Sequence, residues 1–310
     1  MALISSHVVL GGNGVVGRET VRALLERGQS PASVGRRPSP IDGAQSVIAD
    51  LLDPVEVART LRGAEVVYLT VGLPYSSRIW AEQWPKILKN TIDAALANGS
   101  HLVYFDNVYA YGPVTGPMTE TTPLNPSSRK GTVRATALLA LGAAAERGLG
   151  VTIARSADFY GPGASTSVFN SFALDKIAAG KPATWLFDAD QPHSLTYTPD
   201  IGDALAALGS DPRGRGRTWH VPSAPALTGR EYMELAAGAH VGTKVMGSST
   251  MHMGALFSLP ARETLEMAYQ YTAPYVFDSR QFEATFGVTA TSSTEGIAAT
   301  LATSRLTRKR

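Results

Sequence analysis

The segment His7-Val-Val-Leu-Gly-Gly-Asn-Gly-Val-Val-Gly17 sets three glycines, Gly11, Gly14 and Gly17, between a short apolar run and a helical pattern. A strand ending in glycine can turn tightly, a second glycine lets the backbone approach a pyrophosphate, and a third lets helix pack on strand. The amide groups at the helix start then face the phosphates. This is the pattern of a nucleotide-binding βαβ start. Glycines in such a triplet also suit an ordinary strand-to-helix turn, so the reading depends on the rest of the chain.

Beyond the glycines, strand-like and helix-like runs alternate. Strands are expected at Val8–Leu10, Ala32–Val34, Ser46–Ala49, Val66–Thr70, Leu102–Phe105 and Val151–Ala154, with helices at Val15–Arg27, Val55–Leu61, Ile79–Ala97 and Thr132–Arg147 between them. Gly28, Gly63, Gly99 and Gly148 mark helix ends. Such alternation predicts an α/β fold: a doubly wound parallel sheet with helices on both faces and right-handed crossovers. Beyond about Gly161 the pattern loosens into shorter helices and Pro/Gly-rich connections, as a smaller C-terminal substrate-binding region would. We therefore expect a dinucleotide-binding domain over residues 1–165, rejoined by a segment around 195–222, and a mostly substrate-binding region over 166–310.

The chain has 310 residues, 44% of them hydrophobic and 17% charged, enough to bury a full core. It contains no cysteine, which excludes disulfides and thiolate chemistry, and its six histidines lack ligand-like spacing, so no metal site is expected. A net charge of +2, with a short basic end at Arg305 to Arg310, gives no nucleic-acid footprint. The most apolar stretch, Ala135 to Ala145, falls well short of the roughly 20 residues that span a bilayer. The N-terminal segment lacks a signal-peptide pattern. A cytoplasmic protein with no membrane or nucleic-acid partner is expected.

Six ordered landmarks resemble the extended and atypical short-chain dehydrogenases/reductases, the NAD-dependent epimerase/dehydratase-like group. They are Gly11-Gly-Asn-Gly-Val-Val-Gly17, Asp50-Leu-Leu-Asp53, Tyr68-Leu-Thr-Val-Gly72, Tyr109-Ala-Tyr-Gly-Pro113, Arg155-Ser-Ala-Asp-Phe-Tyr-Gly-Pro162 and Tyr197-Thr-Pro-Asp-Ile-Gly202. The resemblance covers nearly the whole chain and implies a Rossmann-type fold. It also implies cofactor contacts from Gly11, Asn13, Gly14, Val15, Val16 and Gly17, and from Thr70, Val71 and Gly72. By the same resemblance Asp50 accepts a hydrogen bond from the adenine amino group, the backbone of Leu51 reads the ring edge, and Asp158 touches the nicotinamide end or substrate. Asp53 reads as a surface-turn carboxylate. Family members often pair through helices of the cofactor domain, which offers Ile79–Ala97 and Thr132–Arg147 for a homodimer.

Cofactor choice turns on the end of the second strand, Ser33-Val-Gly-Arg-Arg-Pro38. An acidic residue there would bind the ribose hydroxyls of NAD, whereas arginine accommodates a 2′-phosphate. No carboxylate occurs at this turn. Arg36, supported by Arg37, therefore points to NADP(H).

The departure from the family lies in its catalytic groups. A Ser/Thr after the fifth strand and a Tyr-x-x-x-Lys pair on the next helix are expected; here Asn107 takes the first position and Lys130 and Arg134 the other two. The four-residue spacing keeps both side chains on one helical face. Lys130, brought towards neutrality by burial and by the Arg134 cation, is read as the acid/base, and Asn107 as the group that orients the acceptor oxygen. Lys-x-x-x-Arg also resembles the isoflavone reductase-like branch, NADPH-dependent reductases with a lysine at this place. The alternative is that Lys130 only holds ribose or phosphate. Tyr111 is a further catalytic candidate, and Tyr109, Tyr160 and His193 are candidate substrate contacts. Asp106 lies in the same motifs, and Trp80 and Trp84 read as core.

The expected function is an NADPH-dependent oxidoreductase acting on a carbonyl or conjugated double bond of a small organic molecule. Two alternatives stand beside it: a sugar-nucleotide epimerase or dehydratase, and a non-catalytic NADP(H)-binding sensor.

Overall fold

The computed structural model describes residues 5–237 and 243–308. The first four residues, His240, and Lys309 and Arg310 of the basic end lie outside the described residues. The six expected strands form as β1 (His7–Leu10), β2 (Ala32–Gly35), β3 (Gln45–Ile48), β4 (Val66–Leu69), β5 (His101–Asn107) and β6 (Gly150–Ser156). The first four helices are α1 (Val15–Glu26), α2 (Pro54–Thr60), α3 (Ser77–Asn98) and α4 (Arg129–Glu146). A seventh strand, Thr218–His220, completes a sheet of order Thr218–His220, β6, β5, β4, β1, β2, β3, in which every pair is parallel. The order reverses at β1, which lies between β2 and β4. In a doubly wound sheet that is the switch point where a crevice opens beyond the strand ends.

Alternate side chains of each strand feed two cores. Val8, Leu10, Val67, Leu69, Leu102 and Tyr104 pack towards α2, α3 and α4. Val9, Val66, Tyr68 and Val103 pack towards α1 and the helix Thr198–Ser210. That helix lies so close to α1 that a Cβ on Gly202 would sit 2.5 Å from the Glu19 backbone. Thus the segments Thr198–Ser210 and Thr218–His220 return to the sheet layer late in the chain. β1 and β4, buried throughout, read as nearly unbroken apolar runs, as parallel strands covered on both faces do.

Two helices begin earlier than their apolar periodicity indicates. α3 starts at Ser77, capped by the Ser76 hydroxyl, and α4 at Arg129, where the Ser128 hydroxyl accepts from the Gly131 amide. A serine cap supplies the acceptor that the first-turn amides lack. As a result Lys130 stands in the first turn of α4.

The C-terminal part has its own core, with Tyr160, Phe169, Trp185, Tyr232, Tyr271 and Ile297 at its centre. Short strand pairs frame it. Asp158–Tyr160 runs parallel to Leu195–Tyr197, and Pro192–His193 pairs antiparallel with Leu227–Thr228. Among the described residues no helix is long and apolar enough to cross a membrane.

Candidate functional site

The glycine loop leaves β1 in a conformation that only glycine adopts without strain. Gly11 has φ +86°, and a Cβ there would lie 2.8 Å from Val71 Cα. On Gly17 a Cβ would lie 2.1 Å from the Gly11 carbonyl oxygen, so α1 is pressed onto the strand end. The start of α1 at Gly14 carries no side-chain cap, which leaves its first-turn amides, including those of Val15 and Val16, without a side-chain acceptor. Those free amides, with the positive end of the helix dipole behind them, fit a pyrophosphate. Thr70 closes the adjoining edge by donating its hydroxyl to the Leu10 carbonyl at 2.9 Å, while Gly72 is exposed and a Cβ on it would meet nothing within 4 Å.

The second-strand end is tied to this loop. The Asn13 amide donates to the carbonyls of Arg37 (2.7 Å) and Pro38 (3.2 Å), and so fixes the turn that displays Arg36 and Arg37. Both arginines are exposed and neither forms an ion pair among the described residues. Asp50 is exposed and accepts from the Leu52 amide, while the Leu51 carbonyl accepts from Asn90 of α3. Asp53 caps α2 by accepting from the amides of Val55 and Glu56.

Lys130 is fully buried, and its ammonium is already engaged. It donates to Glu263 Oε2 at 2.6 Å, to the Glu263 carbonyl at 3.0 Å and to Glu266 Oε2 at 3.1 Å, under the ring of Tyr75. Glu263 also accepts from the amide and hydroxyl of Ser77. Burial alone would raise the Glu263 carboxyl, but hydrogen bonds from Lys130 and Ser77 hold it below the ordinary value. The cluster joins the starts of α3 and α4 to the helix Leu259–Leu265. Arg134, one turn along, is equally occupied: it lies over Trp84 and Trp80, donates to the Tyr104 hydroxyl at 2.6 Å and faces Asp106 at 3.6 Å.

Asn107, at the end of β5, accepts from the Tyr109 amide at 3.0 Å. Tyr109 is stacked on Trp80 and its hydroxyl faces that of Tyr75. Tyr111 points elsewhere. It is fully buried; its hydroxyl meets the Thr119 carbonyl and His220 Nε2, and Arg155 covers its ring. Burial raises the Tyr111 phenol and depresses His220 to about 3, so both stay neutral. Tyr111 therefore belongs to a packed interior with Met118, Tyr275 and Phe277, while Arg155 pairs with Asp106.

The polar groups that do converge beyond the strand ends are Asp158 and His193. Asp158 Oδ2 accepts from His193 Nε2 at 3.2 Å and from the Tyr271 hydroxyl at 3.2 Å. The His193 ring is buried between Tyr271 and Tyr275, with centroids 4.7 and 5.0 Å away, and its Nδ1 lies 3.0 Å from the Gln270 carbonyl. Burial, with the charge of Asp158 adding to it, lifts the phenols of Tyr109, Tyr269, Tyr271 and Tyr275 above their ordinary range. Tyr160 is separate: it is buried in the C-terminal core against Phe169 and Tyr197.

Sequence reasoning passed over Glu263, Glu266 and the tyrosines 269, 271 and 275. The run Tyr269-Gln-Tyr-Thr-Ala-Pro-Tyr275 is the one visible signal, since three tyrosines in seven residues exceed what a surface connection needs. Nothing in the sequence pairs Glu263 with Lys130 across more than a hundred residues.

A family model described as "NAD dependent epimerase/dehydratase family" matches residues 7–221. No curated protein matches the chain. Among solved structures, MoeE5 in complex with UDP-glucose and NAD is 23% identical with a TM-score of 0.78, covering 97% of this chain and 99% of that one. DesIV, a dTDP-glucose 4,6-dehydratase from Streptomyces venezuelae with NAD bound, is 21% identical with a TM-score of 0.78 and covers 97% of each chain. A UDP-N-acetylglucosamine 4-epimerase from Bacillus cereus is 16% identical with a TM-score of 0.74, covering 97% of this chain and 96% of that one. At these identities the likeness is one of fold.

Proposed function

This chain belongs to the NAD-dependent epimerase/dehydratase family, and from that premise we propose that it binds a nicotinamide dinucleotide and uses it on the sugar carbon of a nucleotide sugar. The observation that carries the first half is the uncapped α1 start beside Gly11, Gly14 and Gly17. The second half is supported by the reach of the fold match, which extends through the C-terminal region to neighbours solved with UDP-glucose or named for nucleotide sugars. A bound nicotinamide would supply hydride acceptance and donation. The chain's own residues do the rest: the loop amides hold the pyrophosphate, Asn13 fixes the Arg36–Arg37 turn, and Asn107 and Tyr109 offer polar groups beyond β5.

Within this reading the cofactor is NADP(H), because Arg36 and Arg37 are exposed, unpaired by any carboxylate among the described residues, and fixed at the ribose end of β2. A one-way reduction of a carbonyl or conjugated double bond is the second reading. It is favoured by the replacement of the tyrosine–lysine pair, which oxidation of a sugar hydroxyl ordinarily uses, by Lys130 and Arg134, both engaged in buried contacts. Incubation of the full chain with either dinucleotide and UDP-glucose, followed by nicotinamide absorbance and product mass, tests the proposal. A changed sugar with cofactor returned to its starting state supports the first reading, and net consumption of NADPH with a carbonyl or enone acceptor the second. Failure to bind either dinucleotide overturns both.

We further assign a homodimer to the outer faces of α3 and α4. A groove of about 340 Å³ runs between them, lined largely by Trp84, Leu88, Ile92, Val133, Ala137 and Ala140, and Leu139 nearby is 70% exposed.

A further inference from the structure

The surroundings of His193 contain a proton-counting problem. Its Nδ1 faces the Gln270 carbonyl and its Nε2 faces Asp158 Oδ2, both of them acceptors. A carbonyl never donates, so Nδ1 carries hydrogen. A second hydrogen must then lie between Nε2 and the carboxylate, or two lone pairs would meet in a buried site. Stacking between Tyr271 and Tyr275 holds the ring in place, and with Trp185 edge-on it has no room to turn away. Asp158 is the open end of this pair. Its side chain is 18% exposed, Oδ2 takes both hydrogen bonds, and among the described residues Oδ1 takes none.

We propose that Asp158 and His193 form one proton-holding unit that takes and returns the proton of the reacting hydroxyl, with Asp158 the catalytic residue and His193 positioning and charging it. The inference rests on the function proposed for this site. It would supply the proton acceptor that the chain lacks at the Tyr-x-x-x-Lys positions, where Lys130 is sealed by Glu263 and Glu266. The remaining titratable groups facing the pair are the phenols of Tyr75, Tyr109, Tyr269, Tyr271 and Tyr275, and Glu266, itself paired with Lys130. Burial holds the phenols of Tyr109, Tyr269, Tyr271 and Tyr275 above their ordinary range, so they donate hydrogen bonds but are poor bases at neutral pH.

In the oxidising direction the substrate O–H bond breaks and its proton passes to Oδ1 of the Asp158 carboxylate, while the hydrogen already between Oδ2 and His193 Nε2 stays in place. The O–H electron pair becomes the second bond of the new carbonyl, as the carbon releases hydride to an oxidised nicotinamide dinucleotide. Reduction reverses each movement, and the proton returns to the oxygen.

The test is nitrogen-15 NMR of the histidine rings in the full chain, with the His193 signals assigned by their loss in His193→Gln. Neither cofactor nor substrate is needed, so it decides the pair even if the dinucleotide proposal fails. In the wild type His193 is expected to show hydrogen at both nitrogens, the one on Nε2 shared with Asp158. In Asp158→Asn the Nε2 hydrogen loses its carboxylate partner, so the Nε2 signal should move while the Nδ1 signal, held by the Gln270 carbonyl, stays. His193 signals unmoved in Asp158→Asn, or a wild-type ring with no hydrogen shared at Nε2, overturn the proposal. With NADPH or NAD and UDP-glucose, turnover should depend on both residues. It should fall by about 10²–10⁴-fold in Asp158→Asn and His193→Gln, measured on variant protein that still binds the dinucleotide. Turnover retained in both variants would also overturn it.

Discussion

Lys130 and Arg134, which sequence alone presents as chemistry, prove to be held fast by neighbours. The Lys130 ammonium has three oxygen partners and no exposed surface. Removing one partner of a buried pair leaves uncompensated charge and costs about 3–5 kcal/mol. Lys130→Met should therefore lower stability by about that amount, read as a reduced denaturation midpoint, because Glu263 and Glu266 would be left facing each other. An unchanged midpoint would mean that the cluster is not the tie it looks to be. Tyr111→Phe should cost about 1–3 kcal/mol, because it leaves the buried His220 Nε2 and the Thr119 carbonyl without their partner, and leave dinucleotide binding intact. At the opposite edge, Arg36→Ala should weaken NADPH binding by about tenfold or more while NADH binding barely changes, as loss of a charge-assisted phosphate contact implies. Equal losses for both dinucleotides would place Arg36 away from the 2′-phosphate.

At the scale of elements, the sheet was legible because β1, β2 and β4 are apolar runs, the first two meeting glycine at Gly11 and Gly35. Both signals are local, and all six expected strands appear in the order β3, β2, β1, β4, β5, β6 expected of a doubly wound sheet. Helix starts were less legible. α4 begins at Arg129 because of the Ser128 cap, and its first turn, which holds Lys130, carries no apolar signal. The seventh strand is three residues long, Thr218–His220, too short for period-two alternation to reveal. Sequence placed Asp158 and His193 separately, in a family motif and in a pocket loop. That they meet depends on the pairing of Pro192–His193 with Leu227–Thr228 and on the ring of Tyr271, contacts between segments far apart in the chain. The α3–α4 faces supply a further test. Ala140→Glu on the groove should convert a dimer to monomer in sedimentation, and a wild type that sediments as a monomer would remove the assignment.

For the whole molecule, the helix Leu259–Leu265 is joined to the cofactor-side helices by buried charge. Glu263 meets Ser77 of α3 and Lys130 of α4. Its carboxyl is held below 4.5 in the folded protein. A depressed carboxyl contributes stability that is present above the unfolded value and is lost as pH falls through the folded one. Stability should therefore drop below about pH 4.5, and Glu263→Gln should flatten that part of the profile while lowering the neutral plateau; an identical acid limb in the variant would assign the loss to other carboxylates. The central claim, however, is that the glycine loop and the Arg36–Arg37 turn hold a nicotinamide dinucleotide. Side-by-side fluorescence titration of the full chain with NADPH and NADH tests it most directly. Saturable binding of both, with NADPH tighter by about tenfold or about 1.4 kcal/mol, is the predicted result; binding of neither would contradict it.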